Sequence, residues 1–402
     1  MKILLDEAKK LQDTIVSHRR YMHENAEISI NLPLTTKYVI KNLKDMGYEP
    51  IEICKSGIVA IAGKQKTGKT FMLRADMDAL PIMEETNLPF KSKTNNMHAC
   101  GHDLHTAMLL GAAQLLKDHE DELEGQVKLM FQPAEETMGG AKDMIDAGLL
   151  ENPKVDAAMM IHVFTGVPAP AGLVVVTDSG IVSASSDWFK VTVQGKGGHG
   201  AIPNLSIDPL NIISHIHIAL QSINAREIAS GDNAVLTIGH MCGGNAANVI
   251  PDSAFLSGTI RTFSQEKREF IKKRLEEISK GIASTFRGEA EVEFLSGCPS
   301  VINNEDLNNQ FNRYSRELLG SQQTVNATDV AGEAFSKFTG SEDFAFVSEL
   351  VPSVMTLLGT TSEKPEYIYP LHHPKAVFNE DPLYIGAALY ANTAIEWLKN
   401  NM

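Results

Sequence analysis

The 402-residue chain has only four cysteines, Cys54, Cys100, Cys242 and Cys298. They lie far apart, with no CxxC pair, so a disulfide-stapled fold is excluded. Positive charge is in deficit: 36 Lys and Arg stand against 50 Asp and Glu, a formal net charge of -14. That balance argues against nucleic acid or an anionic membrane as a partner. No apolar run approaches the ~20 residues of a membrane span. The opening MKILLDEAKKLQD has neither the apolar stretch nor the small-residue cleavage site of a signal peptide. Tandem repeats and low-complexity stretches are also absent. These absences predict a cytoplasmic, reducing setting, in which a free thiolate can serve as a metal ligand. Hydrophobic content of 43% and charged content of 21% are ordinary for a globular protein, and the length is comfortable for two domains.

The first third alternates helix and strand. Amphipathic helices are expected over 4–24 and 35–46, with short apolar strands over 57–62, 70–75, 126–131 and 156–163. A helix over 105–117 carries a small-residue face (Ala107, Gly111, Ala112) suited to close packing on a sheet. Strands spaced by helices predict a mixed, mostly parallel sheet between helical layers, an α/β/α catalytic domain. Near Ser183 the pattern changes. Strand 188–193, helix 209–223, strands 234–240 and 254–262, helix 265–284 and strand 291–295 follow the β-α-β-β-α-β plan of a ferredoxin-like α+β domain. After Gly297 the alternation of the first third returns, with helices over 305–318 and 382–399 around a strand at 353–358. The expected organisation is a discontinuous domain, 1–183 with 297–402, and an inserted domain, 184–296.

The chemistry concentrates in His98-Ala-Cys100-Gly-His102-Asp103-Leu-His105, where one cysteine, one aspartate and three histidines fall within eight residues. Such side chains are Lewis bases before they are packing groups. Alternate residues of an extended loop place Cys100 and His102 on one side, as chelation requires. Their neighbours His98 and His105 are expected to support the ligands, and Asp103 to cap the helix beginning near His105. Gln132-Pro-Ala-Glu135-Glu136 follows an apolar strand. Adjacent carboxylates there diverge, so one can coordinate metal while the other faces an attacking water. A base beside water whose pKa a metal lowers is what amide hydrolysis at neutral pH needs. His162 closes the strand 157–161, at the end where open sheets carry their sites. The pair His372-His373 completes a plausible cage for two divalent metals. Gly63-Lys-Gln-Lys-Thr-Gly68-Lys69-Thr70 matches GxxxxGK[ST] in every position. A phosphate loop opens a helix, whereas 71–76 reads as a strand, so the segment is expected to be a polar hairpin tip. In the inserted domain, Gly195-Lys-Gly-Gly198-His199-Gly200-Ala-Ile-Pro203 lets backbone and imidazole approach a ligand closely.

In order along the chain, these motifs resemble one family: the metallopeptidase-like amidohydrolases of hippurate hydrolase, aminoacylase-type N-acyl-L-amino acid amidohydrolases and indole-3-acetyl-amino acid hydrolases. The resemblance runs nearly end to end. It also includes Arg74-Ala-Asp76-Met-Asp78-Ala-Leu-Pro81, Asn248-Val-Ile-Pro251-Asp252, Gly258-Thr-Ile-Arg261-Thr-Phe263, Ser341-Glu342-Asp343-Phe344 and Leu371-His372-His373-Pro374. It implies a catalytic domain whose inserted domain is a lid that forms a homodimer. It implies two divalent metals held by Cys100, His102, Glu136, His162 and His372, with Cys100 bridging and Asp78 and Asp103 standing behind the ligands. His372 rather than His373 matches the ligand, which in the family's motif directly follows the leucine. Glu135 would be the general base that later protonates the leaving amine. His199 would donate to the oxyanion, and Asn248 and Arg261 would grip the substrate's free carboxylate.

The expected activity is therefore hydrolysis of N-acyl amino acids, with acetyl and benzoyl groups both eligible. Zinc, manganese, cobalt and nickel all accept such a mixed S/N/O set. A dipeptidase or N-acetyl-diaminopimelate deacetylase is the alternative within hydrolases. A silent binding relative would have lost a ligand or the base, and all are present. A zinc nucleoside deaminase lacks support, because HxE followed by PCxxC is missing. Two departures from the family's pattern bear on substrate preference rather than chemistry. Asn204 stands where many relatives carry histidine, and His23-Glu-Asn25-Ala26-Glu27 lacks the proline usual before that glutamate.

Overall fold

The computed structural model describes residues 2–65, 68–332 and 337–401. Lys66 and Thr67 of the GxxxxGKT segment lie outside them. The chain divides into two compact units, one of Met1–Val182, Val301–Phe338 and Asp343–Met402, the other of Ser183–Ser300 and Thr339–Glu342.

The first unit is built on an eight-stranded mixed sheet, in the order Ile51–Cys54, Gly57–Ala62, Gln126–Gln132, Thr70–Asp76, Ala157–Phe164, Ser353–Gly359, Val174–Val176, Thr324–Asn326. Its four middle strands, Gln126–Gln132 through Ser353–Gly359, run parallel, with antiparallel neighbours on either side. Parallel strands are covered on both faces, so their sequences read as continuous apolar runs; Ala157-Ala-Met-Met-Ile161 is buried throughout. Alternation divides each strand between two cores. Leu73, Leu129, Met159 and Ile161 join the larger, which includes residues of helices Gln12–Glu24, His102–Asp118 and Leu383–Asn400. Met72, Met130, Met160 and Met355 join the smaller, with Ala141, Met144 and Phe344.

Several expectations need correction. The helix expected over 4–24 is two, Lys2–Lys10 and Gln12–Glu24. Strands Gly57–Ala62 and Thr70–Asp76 are not hydrogen-bonded to each other, because Gln126–Gln132 lies between them, so the two do not form the expected hairpin. Thr70–Asp76 is a strand, as the rejection of a phosphate loop requires. Gly111 packs against helices rather than the sheet: a Cβ there would lie 2.7 Å from Ile15 Cδ1 and 3.0 Å from Ala387 Cβ. The short strands Ile51–Cys54, Val174–Val176 and Thr324–Asn326 were not anticipated, being too short to show a period.

The second unit has a four-stranded antiparallel sheet in the order Ala234–Gly243, Ser253–Thr262, Ser185–Gln194, Glu289–Cys298. Helices Pro209–Ser222 and Gln265–Thr285 pack on it over a core of its own, including Phe189, Val191, Ile216, Leu256 and Leu275. The element order is β-α-β-β-α-β, with the first and last strands of the unit adjacent in the sheet, the ferredoxin-like arrangement. Among the described residues, no helix is long and apolar enough to cross a membrane.

Candidate metal centre

The C-terminal ends of parallel strands are where open α/β sheets place their sites, and the first unit follows that rule. Asp76 ends one parallel strand, Gln132 another, and His162 lies near the end of a third. Beyond Asp76 the chain reaches Asp78, and beyond Gln132 it turns into the segment holding Glu135 and Glu136. Cys100 and His102 come from the turn that opens helix His102–Asp118. Gly101 makes that turn with φ +92°, and a Cβ there would sit 2.4 Å from Val163 Cγ2, so the residue between the two donors has to be glycine.

Cys100 Sγ lies 3.6 Å from His162 Nε2 and 3.2 Å from His372 Nε2. His372 Nε2 is 3.6 Å from Glu136 Oε1, and His102 Nε2 is 3.9 Å from both Glu136 Oε1 and Glu135 Oε2. The donor atoms of Cys100, His102 and His162 form one group of metal-ligating type, and those of Cys100, Glu136 and His372 form another, sharing the thiol. His373 is not part of it; its ring stacks on Tyr369 at 4.4 Å. The two loops that present donors are held in uncommon backbone conformations: His372 has φ 65°, and Ala134 and Met138 on either side of the glutamates have φ 56° and 58°.

The donors are aimed by their other atoms. His102 Nδ1 donates to the Asp78 carbonyl at 2.8 Å, and His162 Nδ1 donates to the Val163 carbonyl at 2.7 Å, which leaves each Nε2 with its lone pair toward the cluster. The Asp78 carboxylate accepts from the N–H of Glu135 at 3.0 Å and of Glu136 at 3.3 Å, orienting both glutamates. His102 Nε2 and Glu136 Oε1 are buried without hydrogen-bond partners among the described residues. Buried polar atoms are normally satisfied, and here the two orphans face the thiol and each other's neighbourhood, as a cation site requires. Burial pushes the Cys100 thiol well above its ordinary pKa, helped by Glu136, and pushes Glu136 up to about 7. Burial likewise drives His162 far below its usual value, so it is a neutral imidazole. For His102 burial works in the same sense, but Asp76 and Cys100 outweigh it and raise its proton affinity. Ligation would need the thiolate, the carboxylate and neutral imidazoles, a negatively charged set that could not be buried unpaired, and divalent cations fit it.

Around the donors lies a layer that the motifs reveal only in part. His105 donates from Nδ1 to Asp76 Oδ1 at 2.6 Å and accepts from Val163 N–H at 2.9 Å. His98 is buried, pushed down to about 3 by that burial, and neither ring nitrogen has a partner among the described residues. Asp103 does not cap a helix. The helix begins at His102, and the Asp103 carboxylate instead accepts from Arg19 Nε and His23 Nδ1, both at 2.8 Å. Arg19, His23, Arg74, Asp76, Gln132 and Asp343 carry no role that the sequence alone assigns. The available signal was the presence of charged residues on strands and helix faces that are otherwise apolar.

In the second unit, His199 pairs with Val249 in a short antiparallel ladder, and Gly200 N–H donates to the Asn248 carbonyl at 2.9 Å, so His199 and Asn248 are neighbours. Both side chains are exposed. Arg261, near the end of strand Ser253–Thr262, donates to Ser341 Oγ at 3.3 Å. Among the described residues no hydrogen bond joins Arg261 to His199 or Asn248.

A mixed sheet sandwiched by helices, with an S/N/O donor cluster, buried except at His372, at the C-terminal edge of its parallel strands, defines a metallohydrolase-type α/β unit. The chain belongs to peptidase family M20/M25/M40, whose family model matches residues 72–396. It is 38% identical over 401 residues to thermostable carboxypeptidase 2 of Saccharolobus solfataricus, covering 98% of each chain. It is 36% identical over 398 residues to the hippurate hydrolase of Campylobacter jejuni, covering 98% of this chain and 100% of that one. Among solved structures it resembles the YxeP protein of Bacillus subtilis, described as a dinuclear metal-binding peptidase of the M20 family. The TM-score is 0.78 at 33% identity, over 97% of this chain and 99% of that one.

Proposed function

We propose that this chain is a metal-dependent amidohydrolase that cleaves N-acyl amino acids to a carboxylic acid and a free amino acid. The observation that carries the reading is the sharing of Cys100 between two donor groups, {Cys100, His102, His162} and {Cys100, Glu136, His372}. A thiolate can bridge two cations, so five residues suffice for two divalent ions. Such ions would polarise the acyl carbonyl and make water acidic enough to attack at neutral pH. Glu135 is the carboxylate of the pair left over. It is buried, with its N–H fixed by Asp78, and is assigned to take a proton from the attacking water and return it to the departing amine. From the second unit, His199 is assigned to donate to the developing oxyanion, and Asn248 and Arg261 to hold the substrate carboxylate. That unit is also assigned as a lid and as the surface of a homodimer, in a cytoplasmic setting. The likeness to a hippurate hydrolase supports an N-acyl amino acid substrate. The likeness to a carboxypeptidase favours peptides as the second reading.

The test is release of amino acid from N-acetyl, N-benzoyl and N-fatty-acyl amino acids and from dipeptides, run beside Glu135→Gln. An N-acyl amino acid should be the best substrate, and the variant should lose roughly 10²- to 10⁴-fold in kcat, the usual worth of a general base. A preference for dipeptides would select the second reading, and full activity in Glu135→Gln would remove Glu135 from the mechanism.

A further inference from the structure

Ser341-Glu342-Asp343-Phe344 has no part in the chemistry above, yet Asp343 lies at 0% exposure of its side chain, bonded to the loop that carries the proposed base. Its Oδ1 accepts from Gln132 Nε2 at 2.6 Å and from Arg74 Nη2 at 3.1 Å. Its Oδ2 accepts from the Ala141 N–H at 3.0 Å, and its own N–H donates to Glu135 Oε1 at 3.4 Å. Gln132 ends the strand before the 133–139 connection, and Ala141 lies in the first turn of the helix after it, Gly140–Asp146, so the 132–141 loop is that connection with these flanking residues. One carboxylate therefore ties both ends of the loop together, while Asp78 holds the middle through the N–H groups of Glu135 and Glu136. Arg74 supplies the counter-charge and joins this clamp to the rest of the centre, donating to Gln132 Oε1 and to Asp76 Oδ2, both at 2.8 Å. The loop has no slack to absorb an error: a Cβ on Gly140 would sit 1.6 Å from the Pro133 carbonyl oxygen.

We propose that Asp343 is a positioning residue for Glu135, a buried clamp across the two ends of the 132–141 loop that fixes the base relative to the donor cluster. The inference rests on the assignment of Glu135 as the base. Asp343 touches neither substrate nor reacting atoms on this reading, because both of its oxygens are already taken by the loop and Arg74. What it controls is the angle and distance at which Glu135 meets water. Misplacing a catalytic group by about 1 Å can cost about 10²-fold in rate while leaving substrate binding alone. In Asp343→Asn the shape is kept, but the new NH2 must face either the Ala141 N–H or the donors of Gln132 and Arg74. A donor then opposes a donor, and the Arg74 charge loses the carboxylate at 343 and keeps Asp76 as a partner.

The experiment pairs amide hydrogen exchange with steady-state kinetics on the full-length, metal-loaded protein, comparing wild type, Asp343→Asn and the exchanged pair Gln132→Glu/Asp343→Asn. In the exchanged pair the new carboxylate at 132 accepts from Arg74 Nε and from the amide at 343, whose oxygen still accepts from Ala141 N–H. A carboxylate is returned to the Arg74 guanidinium, and only Arg74 Nη2 loses its acceptor at 343. For Asp343→Asn the expected result is faster exchange confined to 133–141. Metal content should be unchanged, kcat lowered about 10- to 100-fold, and KM within about threefold. The exchanged pair should recover slow exchange in the loop and at least tenfold of the lost kcat. It remains decisive if the single variant does not fold. Unchanged exchange at 133–141, loosening spread evenly over the whole unit, or fast loop exchange in the exchanged pair would each overturn the clamp. Failure of wild type to hydrolyse any N-acyl amino acid would instead count against the proposed function, and the exchange arm would still decide the clamp.

Discussion

Cys100 is the residue on which the two donor groups converge, and its surroundings make little sense without cations. A buried thiol beside the buried Glu135, the partly buried Glu136 and three imidazoles has its proton held by burial, at a cost that a bound dication would remove. The residue types at this centre were legible because Cys, His and Glu at close spacing have few structural uses. Their supports were not: Asp76, Arg74 and Asp343 are ordinary residues made important only by a packing that joins chain segments more than 200 residues apart. Asp103 shows the same limit, since its partners Arg19 and His23 lie at least 80 residues upstream. Away from the centre, His18 makes a separate prediction about acid stability. It is buried, with Nδ1 2.9 Å from Tyr38 Oη, and burial lowers its pKa from 6.5 to about 4. Between those values the unfolded chain takes up a proton that the folded chain refuses, so stability falls as pH drops through the window, by roughly 3 kcal/mol when complete. Replacing His18 by Gln should shrink the difference in urea midpoint between pH 7 and pH 4.5. An identical difference in the variant would show that His18 titrates normally.

At the scale of elements, long periodic segments and strands buried on both faces announced themselves, because burial on a sheet face or helix stripe writes a period into the sequence. Connections did not. Whether strands Gly57–Ala62 and Thr70–Asp76 pair or cross over depends on where Gln126–Gln132 inserts, which no local pattern records. The break between helices Lys2–Lys10 and Gln12–Glu24 was hidden for the same reason, since both halves keep an apolar face toward helix Leu383–Asn400 or His102–Asp118. Gly111 tests how closely those helices meet. With the Ile15 and Ala387 side chains 2.7 and 3.0 Å from a Cβ at this position, Gly111→Leu must push three helices apart. Overpacking of this kind costs about 1–3 kcal/mol. Chemical denaturation should show that loss with the m-value unchanged. A neutral Gly111→Leu would mean that the helices have room to separate.

For the whole molecule, the change of pattern near Ser183 and its reversal after Gly297 set the expectation of an inserted domain; the chain divides into two compact units, and the second holds a core of its own. The ferredoxin-like order of the second unit followed from its strand and helix sequence, whereas its register and edge strand did not. We propose that catalysis belongs to the metal-loaded cluster around Cys100. The most direct test is the rate of amino acid release from the best N-acyl substrate as metal-depleted protein is titrated with Zn, Mn or Co. The prediction is negligible activity at zero equivalents, and a rate that rises with added metal and saturates at about two ions per chain, as expected for a centre in which one thiolate serves two cations. Activity that survives depletion unchanged, or saturation with a single ion in wild type, would contradict it.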